Sequence, residues 1–229
     1  MNIAGLQKLT LLDYPGKTAC TVFTPGCNFR CPFCHNALLV THRPEELISE
    51  EEFFSFLSKR QGILDGICIT GGEPTLQKDL IAFMEKIKAM GFLVKLDTNG
   101  AKPDILKEII AKGLADYVAM DIKASPARYG EAVGIKDFDF SPVKESICIL
   151  EESGIDHEFR TTVTDELHTE ENFPAILSLF SENTPYFLQQ FKDSGNLIDK
   201  SCHGWETQRM KNLRDTLALQ HCNVSLREG

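Results

Sequence analysis

The sequence lacks long apolar runs. No stretch approaches the length of a membrane span, and residues 1–8 contain no apolar core of the kind found in a signal peptide. Basic residues are also scarce: 24 Lys and Arg against 33 Asp and Glu give a net charge of −9, whereas a nucleic-acid-binding protein needs a basic face. These absences predict a cytosolic, cytoplasmic protein that binds neither a membrane nor nucleic acid.

The chain is unusually rich in cysteine for such a protein, with eight in 229 residues. A reducing cytosol makes structural disulfides unexpected. Cys27, Cys31 and Cys34 follow the spacing C-x3-C-x2-C, and this density of thiols predicts a metal centre. Three cysteines on a [4Fe–4S] cluster would leave one iron free to bind a reactive ligand. The loop therefore predicts an enzyme.

The other five cysteines are given less reactive interpretations. Cys20, Cys68 and Cys148 lie in apolar runs and are expected to be buried free thiols. The pairs Cys202-His203 and His221-Cys222 have neither the C-x2-C nor the H-x3-H spacing of a zinc site, so no metal is predicted there.

A β-type run, a loop and a helix-type run recur along the chain. The predicted strands are residues 18–24, 64–70, 92–97, 116–123, 155–163 and 185–191, and a short seventh spans 223–226. Helices are predicted between them, over about 49–60, 76–87, 103–113, 141–154, 170–180 and 205–219. Parallel strands need crossover helices, so this order predicts a parallel sheet.

The length of the chain narrows the fold class. A closed eightfold barrel typically takes about 250 residues, so a partial, open (βα)6 barrel of the TIM type fits better. The prediction is one α/β domain over 1–229, with 1–17 as an N-terminal lead-in, 18–191 as the core βα units, and 192–229 as a C-terminal helix and short strand.

Polar residues cluster where the predicted strands end. Because the carboxyl ends of parallel strands gather at one face, a single pocket would contain all five clusters: Cys27–Cys34, Gly71–Glu73, Asp97–Asn99, Asp121–Lys123 and Arg160.

In these motifs the chain resembles the radical S-adenosylmethionine (SAM) enzymes. The cysteine triad with aromatic Phe33 before its last member is the signature of that superfamily, and Gly71-Gly72-Glu73-Pro74 resembles its second motif, which holds the SAM amino group. Four further segments are similar to glycyl-radical-enzyme activases, above all the anaerobic ribonucleoside-triphosphate reductase activating proteins: 12–16, 31–36, 96–100 and 120–123. The pyruvate formate-lyase activase is a near relative.

The resemblance implies both a reaction and its partners. Cys27, Cys31 and Cys34 would carry a [4Fe–4S] cluster whose open iron binds SAM. Reductive cleavage of SAM would give a 5′-deoxyadenosyl radical that takes a hydrogen from a glycine of another protein. The implied partners are the anaerobic reductase as substrate and flavodoxin or ferredoxin as electron donor.

Each remaining site residue has a cofactor role and a structural alternative. Gly71 and Gly72 would let the backbone approach the ligand closely, or would form only a tight turn. Glu73 would bind the SAM ammonium, or would complement a helix dipole. Phe33, His35 and Asn36 are expected at the adenine, with a simple polar loop residue as the alternative for His35. Thr98 and Asn99 would bond ribose or carboxylate oxygens, or would only form a turn. Lys123 would contact the SAM carboxylate, and Arg160 would also reach SAM.

Two aspartates offer oxygen ligands at the predicted strand ends. Asp97 and Asp121 would share a hard cation, with a salt bridge between Asp121 and Lys123 as the alternative. For Arg160 the alternative is a rim salt bridge.

Two other function classes remain open. One is small-molecule radical chemistry, such as the ring contraction of deazapurine biosynthesis. The other is a non-catalytic iron–sulfur carrier or zinc module, which three rather than four clustered cysteines disfavour. The chain has no second cysteine cluster and little extra sequence with which to close a small-molecule pocket, and this favours a protein loop as substrate.

Overall fold

The computed structural model describes residues 1–42, 44, 46–193, 195 and 197–227. Residues 194, 196, 228 and 229 of the predicted C-terminal segment therefore lie outside the described residues. None of the helices in the described ranges is both long and apolar enough to cross a membrane.

Strands and helices alternate through most of the described chain. The strands are β1 Gly5–Thr10, β2 Ala19–Thr24, β3 Gly66–Gly71, β4 Leu93–Thr98, β5 Tyr117–Asp121, β6 Asp156–Val163, β7 Tyr186–Gln190 and β8 Val224–Arg227. The α-helices are α1 Ala37–Thr41, α2 Glu50–Ser58, α3 Leu80–Ala89, α4 Pro103–Ala111, α5 Tyr129–Val133, α6 Ser141–Ser153, α7 Phe173–Leu177 and α8 Thr207–Leu217. Short 3-10 turns span Pro74–Leu76, Pro126–Arg128 and Glu170–Asn172.

The chain divides into two compact units whose segments interleave. The first contains Met1–Asn28, Leu38–Thr98 and Asp104–Val118, and the second contains Phe29–Ala37, Asn99–Pro103 and Ala119–Gly229. The expectation of a single domain over 1–229 stays a prediction.

The first unit is built on strands β1 to β4, hydrogen-bonded in chain order. β1 runs antiparallel to β2, whereas β2, β3 and β4 are mutually parallel. Helix α2 buries Phe53 and α3 buries Phe83, with ring centroids 5.1 Å apart. Burying aromatic rings of this size dominates the energetics of such a core.

The second unit carries β6, β7 and β8 as neighbouring parallel strands. The chain leaving β5 continues alongside β6, where the Ile122 amide donates to the Arg160 carbonyl at 2.8 Å. Its core includes Phe159 and Phe180, with ring centroids 4.6 Å apart, and the buried ring of Tyr186, 5.2 Å from Phe180.

Local signals explain several helix ends. The Ser49 side chain accepts a hydrogen bond from the Glu52 amide at 3.1 Å, which caps α2. Pro103 opens α4 in the position where its missing N–H costs nothing. Gly154 ends α6 in the left-handed conformation, with φ +70°.

The repeating strand–helix pattern is confirmed, but several expectations were wrong. Residues 1–17 are more than a lead-in, because 5–10 form β1. The helix expected over 170–180 is a 3-10 turn followed by the five-residue α7, and neither α1 nor α5 was foreseen. Cys148 is exposed rather than buried, because α6 turns Val143, Ile147 and Leu150 to the core instead.

Candidate functional site

The cysteine loop begins directly after β2. Gly26, with φ +81°, donates its amide to the Leu39 carbonyl at 2.7 Å. Within the motif the Cys34 amide donates to the Cys31 carbonyl at 3.1 Å, so these two cysteines flank a tight turn. Cys31 is buried, while Cys27 and Cys34 are half-buried. None of the three forms a disulfide.

Charged side chains lie near Cys34, one of the two motif cysteines in the second unit. Burial raises the pKa of the Cys34 thiol above its ordinary value and the charge of Asp121 adds to this, while the Asn36 amide and the charges of Lys123 and Arg30 act in the opposite direction. Cations beside thiols favour the thiolate, which is the form that binds iron. The donor set therefore fits an iron–sulfur cluster.

The aromatic and polar residues of the same loop are split between interior and surface. Phe33 is buried, whereas His35 is exposed with its ring centroid 5.2 Å from that of Phe191. The Pro32 carbonyl accepts a hydrogen bond from the Asp199 amide at 2.9 Å. This bond fixes the loop between Cys31 and Cys34.

The glycines of the second motif pack against the chain's own backbone. A Cβ on Gly71, which has φ +115°, would lie 2.3 Å from the Thr24 nitrogen, and one on Gly72 would lie 1.9 Å from the Gly26 oxygen. The Gly72 amide donates to the Thr24 carbonyl and the Glu73 amide to the Gly26 carbonyl, both at 2.8 Å. The tight-turn interpretation is therefore observed, and this turn fastens the start of the cysteine loop to the end of β3.

Glu73 is a buried carboxylate, only 1% exposed. Its Oε1 accepts hydrogen bonds from the Thr75 amide at 3.1 Å, from the Thr75 hydroxyl and from the Thr98 hydroxyl at 2.8 Å. The structure thus brings two predicted clusters of the first unit together at one carboxylate.

Asp97 pairs with a buried cation that the sequence analysis did not consider. The Lys95 ammonium forms an ion pair with the Asp97 carboxylate, and its nitrogen lies 5.9 Å from the Tyr117 ring centroid. Lys95 is 1% exposed. Residues 95 and 97 lie on one side of β4, and this two-residue spacing was the signal that could have indicated the pair.

In the second unit one carboxylate pairs with two cations. Asp121 accepts from the Lys123 ammonium at 2.9 Å and from Arg160 Nε at 2.8 Å. Burial alone would raise the pKa of Asp121, but the charges of Arg160 and Lys123 hold it well below its usual range. Burial alone would lower the pKa of Lys123, but Asp121 and then Cys31 keep it above its usual value. Arg160 Nη1 also lies 4.0 Å from the buried carboxylate of Glu158, which pairs in turn with Arg227. Asp121, Lys123 and Arg160, called the ion triad below, are therefore charged and belong to a wider ion network.

The cation expected at Asp97 and Asp121 stays a prediction. Each carboxylate pairs with a lysine of its own unit, so the salt-bridge alternative for Asp121 is the one observed. Arg160 lies inside β6 rather than at its end. Asn99 is buried and closes a turn, its side-chain oxygen accepting from the Ala101 amide at 3.0 Å.

Two further residues hold the backbone of the ion triad. His168 Nε2 donates to the Lys123 carbonyl at 3.1 Å, while its Nδ1 accepts from the Thr164 amide at 3.1 Å. Burial lowers the pKa of His168 to about 4, so the ring is neutral near pH 7. The Tyr129 hydroxyl accepts from the Lys123 amide at 3.4 Å. No sequence motif indicated either residue.

No three His, Cys, Asp or Glu side chains within the described ranges converge closely enough to hold one metal ion. A cubane cluster places each thiolate on a different iron, so its ligands need not converge in this way.

Of the C-terminal pairs, His203 Nδ1 lies 2.8 Å from Glu166, and Cys222 Sγ lies 3.1 Å from the Glu182 carbonyl.

Comparison with known proteins places this site in a family. The model of the Radical SAM superfamily matches residues 21–180, which is more than half of the chain. The chain therefore belongs to the radical SAM superfamily. It is an enzyme of the oxidoreductase type, and its cofactors are a [4Fe–4S] cluster and SAM.

Individual relatives refine this picture. The chain is 35% identical over 197 residues to a Methanocaldococcus jannaschii protein provisionally named a glycyl-radical enzyme activating enzyme, covering 83% of this chain and 80% of the relative. It is 30% identical over 194 residues to the 7-carboxy-7-deazaguanine synthase of Thermococcus kodakarensis, covering 76% of this chain and 74% of that enzyme.

A solved structure supports the predicted architecture. The structure of Streptococcus suis SuiB bound to S-adenosylmethionine aligns with a TM-score of 0.69 at 14% identity over 91% of this chain. The chain spans about half of that structure, 51% of its length. The predicted α/β fold, an open partial barrel of the radical SAM type, is confirmed.

Proposed function

We propose that this chain is a glycyl-radical-enzyme activase and that its protein substrate is the anaerobic ribonucleoside-triphosphate reductase. The observation that carries the proposal is the similarity to the activating enzyme of M. jannaschii, which extends over four fifths of both chains. The resemblance of residues 12–16, 31–36, 96–100 and 120–123 to reductase activases supports the choice of substrate.

The 12–16 segment is built into the first unit. The Asp13 carboxylate accepts a hydrogen bond from the Thr21 hydroxyl of β2. The buried Tyr14 ring packs against Tyr117, with centroids 6.1 Å apart. This segment of the proposed activase signature is therefore tied to two strands of the unit.

The chain's own residues would divide the cofactor binding between them. When bound and reduced, the cluster supplies the electron that splits SAM into methionine and a 5′-deoxyadenosyl radical. Cys27, Cys31 and Cys34 hold that cluster, and Glu73 binds the SAM ammonium. The remaining contacts follow the expectations from sequence: Phe33, His35 and Asn36 at the adenine, and Thr98 and Asn99 at ribose or carboxylate oxygens.

The ion triad is suited to the SAM carboxylate. The triad places the cations Lys123 and Arg160 beside one carboxylate, Asp121, and Arg160 also lies 4.0 Å from Glu158. The SAM carboxylate would make a charge-assisted contact with Lys123 or Arg160. Asp121 would hold the two cations in place rather than contact the reacting atoms.

The reaction belongs in the cytoplasm under this proposal. None of the eight cysteines forms a disulfide, and a reducing compartment keeps thiols in that state. Flavodoxin or ferredoxin would deliver the electron there.

A second candidate function is deazaguanine synthesis, favoured by the 30% identity to the T. kodakarensis synthase. That reaction contracts the ring of a small molecule and uses no glycyl-radical partner. The two candidate functions differ in the substrate of the radical, which is a protein glycine in one and a small molecule in the other.

The test incubates anaerobically reconstituted enzyme with reductant, SAM and either purified anaerobic reductase or purified pyruvate formate-lyase. Electron paramagnetic resonance (EPR) is expected to show a glycyl radical with the reductase alone. A radical on pyruvate formate-lyase alone would transfer the proposal to that partner. The proposal would be overturned if neither protein shows a radical and the enzyme instead forms 7-carboxy-7-deazaguanine from the larger-ring compound that this ring contraction uses.

Two variants control this assay. Cys31→Ala is expected to abolish both the cluster and the radical, because a cluster ligand is lost. Cys202→Ala, which removes another buried thiol, is expected to leave both unchanged.

A further inference from the structure

Residues 28–30, between Cys27 and Cys31, pack against residues 126–138, which follow β5. The Arg30 amide donates to the Val133 carbonyl at 2.8 Å. The buried Phe29 ring meets Tyr129 and Phe138 edge-on, with centroids 6.5 Å and 5.5 Å away. The loop is thus held here by one hydrogen bond and one aromatic cluster.

Gly134 makes the closest approach in this support. It ends α5 with φ +67°, and a Cβ built on it would lie 2.5 Å from the Arg30 oxygen and 3.1 Å from the Arg30 carbonyl carbon. Real Cβ atoms essentially never come within 3.0 Å of another heavy atom. Any larger residue would therefore displace the peptide group that joins Arg30 to Cys31.

We propose that Gly134 is a positioning residue for the iron–sulfur cluster, because its missing side chain lets the 126–138 segment set the position of Cys31. The proposal rests on membership of the radical SAM superfamily and not on the identity of the protein substrate. Failure of this proposal would therefore leave the proposed function untouched.

The chain supplies a matched control glycine. Gly154 also ends a helix, is also exposed to solvent, and has φ +70°, yet a Cβ there would meet nothing within 4 Å. Alanine at either position adopts the same unfavourable left-handed conformation. Only at position 134 does it also press on the cysteine loop.

The experiment compares Gly134→Ala with Gly154→Ala in the full chain, reconstituted anaerobically with iron and sulfide. We expect Gly134→Ala to bind at least twofold less iron per chain, or to show an altered EPR signal of the reduced cluster when SAM is added. Gly154→Ala should load and respond like the wild type. The melting temperature of the Gly154→Ala apoprotein should fall because of the left-handed conformation alone, and that of Gly134→Ala should fall further because of the added clash with Arg30.

Full loading of Gly134→Ala with an unchanged EPR signal would overturn the proposal. If Gly134→Ala does not fold, a second pair of variants tests the proposal. Phe138→Leu removes the edge contact with Phe29, while Phe54→Leu removes comparable contacts with Phe53 and Phe83, 5.2 Å and 5.4 Å away, in the other unit. Reduced loading in Phe138→Leu alone supports the proposal, and equal loading in both refutes it.

Discussion

Replacing Glu73 by glutamine tests whether this carboxylate binds the cofactor or only stabilises the fold. Its Oε1 receives three hydrogen bonds, two from Thr75 and one from Thr98. Hydrogen bonds to a charged group contribute about 1.5–3 kcal/mol each and neutral ones about 0.5–1.5 kcal/mol. Glutamine keeps an acceptor oxygen in place, so we expect Glu73→Gln to lower the free energy of unfolding by about 1–3 kcal/mol.

The effect on SAM binding should be larger than a loss of stability can explain. If Glu73 binds the SAM ammonium, the substitution removes a charge-assisted hydrogen bond of about 1.5–3 kcal/mol, which corresponds to a Kd roughly 10- to 150-fold weaker. Calorimetric titration of the cluster-loaded protein with SAM measures that Kd, and urea unfolding of the apoprotein measures the stability.

Thr75→Val provides the matched control for this substitution. It deletes the hydroxyl donor to Glu73 and keeps the carboxylate charge. We expect it to cost about 1–2 kcal/mol of stability and to leave the Kd for SAM within about twofold of the wild type. If Glu73→Gln binds SAM as tightly as Thr75→Val, then Glu73 is only a cap on the turn that follows it.

Two further predictions concern buried groups. Lys95→Met should destabilise the apoprotein by about 3–5 kcal/mol, because it removes the buried ammonium that pairs with the half-buried Asp97 carboxylate. Lys86→Met removes a half-exposed partner of Glu50 and should cost at most about 1 kcal/mol; equal losses in urea unfolding would contradict this. His168 is also expected to make stability depend on pH. Its folded pKa of about 4 lies below the unfolded value of about 6.5, so its contribution is complete above pH 6.5 and falls by about 3 kcal/mol as the pH drops towards 4. Unfolding of His168→Gln measured from pH 4.5 to 7 should lack this part of the slope, and an unchanged slope would rule the residue out.

Much of the fold follows from local sequence signals. Proline at position 103, glycine at 154 and the serine cap at 49 act within one helical turn, so they fix where helices begin and end. The apolar runs of β2 to β7 are equally local. The same reasoning missed β1 because its exposed residues Gln7 and Lys8 break the apolar pattern.

The site was predictable where it depended on strand ends, and less so elsewhere. Because β3 and β4 are parallel neighbours, the residues that follow them meet, and Glu73 duly accepts from Thr98. The alternation of residues along the predicted strand 116–123 placed Asp121 with Lys123 on one side, although β5 itself ends at Asp121.

The residues that pack behind the site and hold its backbone were not predictable in this way. Tyr129, Gly134 and His168 act through contacts with residues far away in the chain, and α5, which carries the first of them, is only five residues long. Five residues are too few to show a helical period. Such residues emerge only when the tertiary contacts are known.

The two fastenings of the cysteine loop have a consequence for enzyme recovery. The Gly26 carbonyl is held by Glu73 at one end of the motif, and the Arg30 amide is held by Val133 within it. Both bonds join backbone groups of the protein to each other, and neither uses a cysteine thiol. Loss of the cluster to oxygen should therefore leave an empty but still shaped cradle, in contrast to small metalloproteins that unfold when stripped. A chain that has lost its cluster to oxygen would then recover activity on reconstitution with iron and sulfide, without first being refolded.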